Sequence, residues 1–185
     1  ATDKATPEMR KVTHLRLRKQ VDRLSNMINE LLEFTRGSQA SAVLAPTDYA
    51  ELVQEWINDI QPEISHKSVV LACENPPPSV KLLLDPRRLA HAFSNLIHNA
   101  VDAMPKGGQI ILRFVIQDRH VITEIEDTGP GIAPEIAARL FEPFATFGKA
   151  HGTGLGLSIC KRIIEDHRGT VQARNAPGRG AVFAF

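Results

Sequence analysis

The stretch 85–108 constrains the fold of this chain more than any other. Asp85-Pro86 sets a helix N-cap before a proline at the first helical position, where its missing N–H breaks no bond. Pro105 and Gly107-Gly108 bar continuation at the other end. A helix over 86–104 is therefore predicted. Leu89, Phe93, Leu96, Ile97 and Ala100 recur at intervals of three and four, and this stripe must bury against another layer. Asn95, Asn99 and Asp102 stand four and three apart and share the other face. Polar helix faces are ordinarily just solvated. Two amides one turn apart also supply hard neutral oxygens that suit magnesium, and NH₂ groups that suit phosphate.

Helix and strand signals alternate around this segment. Asp48 with Glu51 suits a capping box and opens a helix to about residue 64. Val69–Cys73 and 79–84 read as strands around Pro76-Pro-Pro78, and 109–117 with 121–126 as a hairpin. A short helix is expected over 134–140, a mobile loop over 145–154, and a helix over 155–167 ended by Gly169. Strands are expected at 170–174 and 181–185. Such a mixture implies an α+β two-layer sandwich. Upstream, 8–36 contains neither Gly nor Pro. Leu17, Val21, Leu24, Ile28 and Leu31 form the seam of a helix that packs on other helices. Two parts follow: 1–40, a long helix with its linker, and 41–185, a folded domain.

Two glycine-rich loops accompany the Asn-bearing helix. Asp127-Thr-Gly-Pro-Gly-Ile132 follows a strand; a carboxylate there can accept from an exocyclic amine, and Gly129 and Gly131 let backbone approach a flat base. A tight turn would carry the same residues. Gly152-Thr-Gly-Leu-Gly-Leu157 opens a helix whose first N–H groups favour an anion. It matches neither the dinucleotide fingerprint nor the P-loop. Lys149 and His151 precede it and can reach phosphates, although solvated loop charges are equally ordinary. Phe141-Glu-Pro-Phe144 lies between the loops; alone it reads as a core aromatic turn.

In this order and spacing the pieces resemble the catalytic ATP-binding domain of two-component sensor histidine kinases, within the superfamily of gyrase B, MutL and the heat-shock chaperone ATPases. Asn95-Leu-Ile-His-Asn99-Ala-Val-Asp-Ala103 resembles the N box, Asp127 to Ile132 the G1 box, Phe141 to Phe144 the F box, and Gly152 to Leu157 the G2 box. The resemblance covers roughly 47–185. It implies a Bergerat-type α/β sandwich, a mixed sheet with helices on one face. It also implies roles. Asn99 would ligate Mg2+, and Asn95 would contact phosphate or metal-bound water. Asp127 would read the adenine amine of ATP, with Gly129, Gly131 and Ile132 framing the base. The stretch 145–151, with Lys149 and His151, would form a lid, and Phe144 of the F box would contact the nucleotide. Gly152, Thr153, Gly154, Leu155 and Gly156 would support the phosphates.

Hydrolytic members carry a glutamate where this chain has Asn95, which cannot remove a proton from water. The implied chemistry is transfer of the γ-phosphate to a protein histidine, for relay to a response regulator aspartate. Asp102, followed by Ala103-Met104, stands where many sensor kinases have Lys or Arg; the nitrogen-regulation type looks like this. His91 stands where Gln or Glu is frequent, and Ala181 replaces a Thr. The acceptor box His-Glu-x-Arg-x-Pro does not occur, and His14 reads as a surface residue. The chain is thus expected to be a fragment, or to donate phosphate in trans, with 8–36 similar to the second helix of a dimerisation hairpin. The parent would be a homodimer, cytoplasmic or membrane-anchored. The alternatives are a superfamily ATPase or serine kinase, and a nucleotide-switched interaction module.

Bulk composition fits. A formal net charge of +1 gives no general attraction to nucleic acid or acidic lipid. Cys73 and Cys160 suggest neither disulfide nor metal spacing, so a reducing compartment is expected.

Overall fold

The computed structural model describes residues 13–14, 17–18, 21, 27–28, 31–32, 42–146 and 153–185. The chain divides into two compact units, Ala1–Gln39 and Ala40–Phe185. In the first, every described residue is helical. Leu17, Val21, Met27, Ile28, Leu31 and Leu32 are exposed there, as is His14. Leu24 of the predicted seam lies outside the described residues.

The second unit begins with a strand that sequence reasoning passed over. β1 (Ala45–Asp48) contains a proline and carries no strand signal, yet it pairs antiparallel with β3 (Lys81–Leu84). In a two-stranded sheet each strand is an edge, so Pro46 need not interrupt a ladder. Asp48 then caps α1 (Tyr49–Ser65): its Oδ1 accepts from Ala50 N at 3.0 Å and Glu51 N at 3.2 Å. Likewise α2 (Pro86–Ala103) starts as expected, with Asp85 Oδ1 accepting from Arg88 N at 3.2 Å.

The main sheet has five strands in the order β2-β4-β5-β7-β6. These are Val69–Cys73, Gly108–Gln117, His120–Asp127, Ala181–Ala184 and Gln172–Asn175 respectively. β2 and β4 are parallel; the other pairs are antiparallel, so the sheet is mixed as expected. Asp118 and Arg119, at φ 48° and 69°, close the β4–β5 hairpin, the left-handed pair of a type I′ turn. α3 is shorter than predicted, a single turn at Pro134–Ala137, and α4 spans Gly156–Asp166.

Alternation sends Ile110, Leu112 and Phe114 of β4 and Thr123, Ile125 and Asp127 of β5 to one face, where they are buried. α2 lies on these two strands and contacts both α1 and α4. Phe93, Leu96 and Ile97 are wholly buried in it, each contributing about 1.5–3 kcal/mol by removal from water. Trp56 stacks on Phe93 with centroids 5.0 Å apart. The Tyr49 hydroxyl and Thr123 Oγ1 share a buried hydrogen bond, and burial pushes the phenol up to about 12. On the opposite sheet face Arg113 bridges Glu74 at 2.6 Å and Glu126 at 2.5 Å.

Two ties orient the motif-bearing helices. Asp85 N donates to His167 Nε2 at 2.9 Å, and His167 Nδ1 donates to Ile163 O at 2.7 Å. Arg88 pairs with Asp166. The start of α2 is thereby fastened to the end of α4. Midway, Cys160 Sγ reaches Ala92 O at 3.4 Å. The helices therefore run in opposite directions, which brings the first residue of α4 to the middle of α2. Among the described residues no helix is long and apolar enough to cross a membrane.

Candidate nucleotide site

α2 forms one wall of the site. Asn95 and Asn99 are half-buried on it, while Asp102 is exposed. Among the described residues, a Cβ built on Gly156 would meet Asn95 Cγ at 4.0 Å, ordinary contact distance. The first residue of α4 thus faces Asn95. No side chain caps α4, whose N-cap is Leu155. Leu155 is 3% exposed and donates its own N–H to Thr153 Oγ1 at 3.2 Å. A helix start without a side-chain cap offers its first N–H groups and a positive dipole end, the ingredients of an anion site.

The other end of α2 meets the first glycine loop. Asp127 closes β5 and is 3% exposed. Its Oδ1 accepts from Gly129 N at 2.8 Å and Ala181 N at 3.4 Å. Both bonds fall on Oδ1, and among the described residues none is seen to donate to Oδ2. Burial drives this carboxyl above the usual range, against the two backbone bonds. A Cβ on Gly129 would stand 2.7 Å from Asp127 Oδ1 and 3.4 Å from Ala103 Cβ and Met104 Cγ. The loop thus crosses the C-terminal end of α2. Eight residues separate Ala103 from Asn95, about 12 Å along the axis at 1.5 Å per residue. The described parts of the two glycine motifs thus stand at separate points along α2, one at its C-terminal end and one at its middle.

Three residues that sequence reasoning missed hold the first loop. Asn175 clamps Ile132 like a strand partner: Ile132 N donates to its Oδ1 at 2.6 Å, and its Nδ2 donates to Ile132 O at 3.1 Å. Gly131, at φ 86°, lets Asn175 in, since a Cβ there would lie 2.8 Å from Oδ1. Arg179 Nε donates to Gly129 O at 3.2 Å. Gly180, at φ 103°, touches the Asp127 carbonyl so closely that a Cβ would sit 1.8 Å from its oxygen. Gly178-Arg179-Gly180 between two strands signalled a turn, but nothing in it pointed to position 127.

The aromatic turn and the second loop form one piece. Phe144 N donates to Gly154 O at 2.9 Å. Gly154, at φ 73°, would place a Cβ 2.7 Å from Phe144 Cα. Gly154 therefore has a packing reason of its own, apart from any phosphate. Phe144 is 64% exposed at φ 64°, whereas Phe141 meets Phe183 edge-on. Lys149, His151 and Gly152 lie outside the described residues.

Comparison with known proteins gives a consistent family. Residues 84–185 match the family model described as histidine kinase-, DNA gyrase B- and HSP90-like ATPase. The sensor histidine kinase ZraS of Klebsiella oxytoca is 32% identical over 168 residues, 90% of this chain and 36% of its own length. The alginate biosynthesis sensor protein KinB of Pseudomonas aeruginosa is 36% identical, over 89% of this chain and 28% of its own. The chain thus spans about a third of these relatives. Full-length ShkA in complex with AMPPNP superposes with a TM-score of 0.80 at 32% identity, covering 98% of this chain and 39% of that one. Histidine kinase ThkA, in complex with response regulator protein TrrA, superposes at 0.79 with 26% identity, over 100% and 52%.

Proposed function

The chain belongs to the histidine kinase-, DNA gyrase B- and HSP90-like ATPase family, and on that premise we propose that it holds Mg-ATP and passes the γ-phosphate to a histidine outside this chain, as the catalytic part of a sensor histidine kinase. One observation carries this reading. A buried carboxylate with a spare oxygen stands at one end of α2, and an uncapped helix start faces the middle of α2 about 12 Å away.

Asp127 Oδ2 accepts from the adenine amine, and Gly129, Gly131 and Ile132 frame the base. The start of α4, with Gly152, Thr153, Gly154, Leu155 and Gly156, receives phosphate oxygens. Lys149 and His151 belong to the lid, and Phe144 contacts the nucleotide. Asn99 ligates magnesium, and Asn95 contacts phosphate or metal-bound water; Asp102 stands at the exposed rim. Among the described residues no group of three or more His, Cys, Asp or Glu could hold a metal ion. Magnesium would rest on Asn99, phosphate oxygens and water. Bound Mg-ATP supplies an activated phosphoryl group. Asn95 cannot deprotonate water, which favours transfer over hydrolysis.

The exposed stripe Leu17, Val21, Ile28 and Leu31 supports a further part of the proposal. Segment 1–40 is the second half of a dimerisation hairpin, 41–185 is the catalytic domain, and the parent is a homodimer that serves a response regulator. Asp102-Ala-Met104 supports a likeness to the nitrogen-regulation type. Its setting is cytoplasmic, and this piece contacts neither nucleic acid nor membrane.

Calorimetry tests the site. Asn99→Ala should abolish the magnesium-dependent part of ATP affinity, and an affinity indifferent to that change would sink the metal assignment. Incubation with γ-labelled ATP and a separately supplied acceptor hairpin should label the hairpin histidine. Strong labelling of His14 instead would overturn the reading that the acceptor histidine lies outside this chain.

A further inference from the structure

His91 and Asn95 sit one turn apart on α2, both half-buried. Asn95 Nδ2 lies 3.2 Å from His91 Nε2. With Nδ2 as donor, Nε2 accepts, the role it has in the Nδ1-protonated tautomer. In that tautomer the bond favours one of the two ways round that an asparagine amide can sit. Its two ends are nearly equal in size and opposite in chemistry, and the torsion that exchanges them is soft. The neighbouring imidazole on the same helix does not compete. His98 Nδ1 is 3.1 Å from Ser94 Oγ and its Nε2 is 2.8 Å from Glu63. Across from Asn95 stands Gly156, which has no side chain with which to orient the amide.

We infer that His91 is a positioning residue: by accepting from Nδ2 it keeps Asn95 Oδ1 turned away from itself and presented to the hydrated divalent cation that accompanies a polyphosphate at the start of α4. The inference rests on the nucleotide reading above. His91 touches no ligand. It acts by holding one end of a carboxamide, and any side chain that offers an acceptor one turn before Asn95 can replace it. A glutamine meets that requirement on a helix, and a leucine does not.

Calorimetric titration of ATP, in magnesium and separately in EDTA, tests the idea on the wild type, His91→Leu and His91→Gln. The gain in affinity on adding magnesium should fall about tenfold in His91→Leu, the worth of one ordered hydrogen bond. In His91→Gln it should stay within about threefold of wild type. Affinity in EDTA should be the same in all three, whereas a merely structural role would lower it too. An undiminished gain in His91→Leu, a gain in His91→Gln as poor as in the leucine variant, or an equal loss in both media would each overturn the inference and leave the nucleotide reading standing. A wild type that binds ATP in neither medium overturns both.

Discussion

The buried carboxylate of Asp127 permits a prediction that separates its two jobs. Asp127→Asn keeps an oxygen for Gly129 N at 2.8 Å and Ala181 N at 3.4 Å; Asp127→Ala leaves both donors without it. Neither variant carries the charge. A buried N–H stripped of its acceptor costs about 1–3 kcal/mol, and the longer Ala181 bond adds little. The asparagine variant should therefore be more stable than the alanine variant by about 1–3 kcal/mol. At about 2–4 °C per kcal/mol for a domain of this size, that is roughly 2–12 °C in a melt followed by circular dichroism. Relative to wild type, asparagine should gain at neutral pH. The carboxyl titrates above its unfolded value because burial penalises its charge. Its contribution to stability is complete below the unfolded pKa of about 3.9 and is lost as pH rises through the higher folded value. The advantage of asparagine should shrink as pH falls. Both variants lose a charge-assisted bond to the adenine amine, about 1.5–3 kcal/mol, so ATP affinity should drop about 10- to 100-fold. Equal melting of the two variants, or an asparagine advantage that grows with acidity, would refute the reasoning.

Other positions distinguish packing from binding. Gly180→Ala forces a non-glycine residue to φ 103° and a Cβ onto the Asp127 carbonyl, so urea unfolding should show a loss of about 3–5 kcal/mol. Gly156→Ala should do the reverse. Helix propensity raises stability by about 0.5–1 kcal/mol, while Mg-ATP affinity falls because the methyl meets Asn95; a stability loss would show that the methyl does not fit there. Asn175→Leu unclamps Ile132 and should weaken ATP in equilibrium dialysis while leaving inorganic triphosphate unaffected; equal weakening would mean that the clamp serves the phosphates.

Local chemistry made most elements legible. The caps at Asp48 and Asp85, the stop after Ala103 and the alternation in β4 and β5 are all local signals, and each element formed where they pointed. β1 left no such signal, because its pairing with β3 is decided by a partner some 35 residues away rather than by its own Ala-Pro-Thr-Asp. The site divides in the same way. Asn95, Asn99 and Asp127 stood out because helical spacing and a strand end give them local context. Asn175 and Gly180 did not, because their partners lie 43 and 53 positions back in the chain and hold by single-atom fit. Gly154 stood out for a phosphate, and its neighbour in the fold proved to be Phe144.

The strand order also bears on how this unit is made. β7 is the last strand in sequence but lies inside the sheet, between β5 and β6. On a ribosome, β6 emerges with no strand to pair with, and one edge of β5 stays open until β7 arrives. An open edge of that kind invites wrong pairing or a chaperone. Ala181 cannot reach Asp127, nor Gly180 seat against its carbonyl, before that strand is in place. Closure of the sheet and completion of the site are thus one event, and a nascent chain stalled before β7 carries every motif while lacking the pocket.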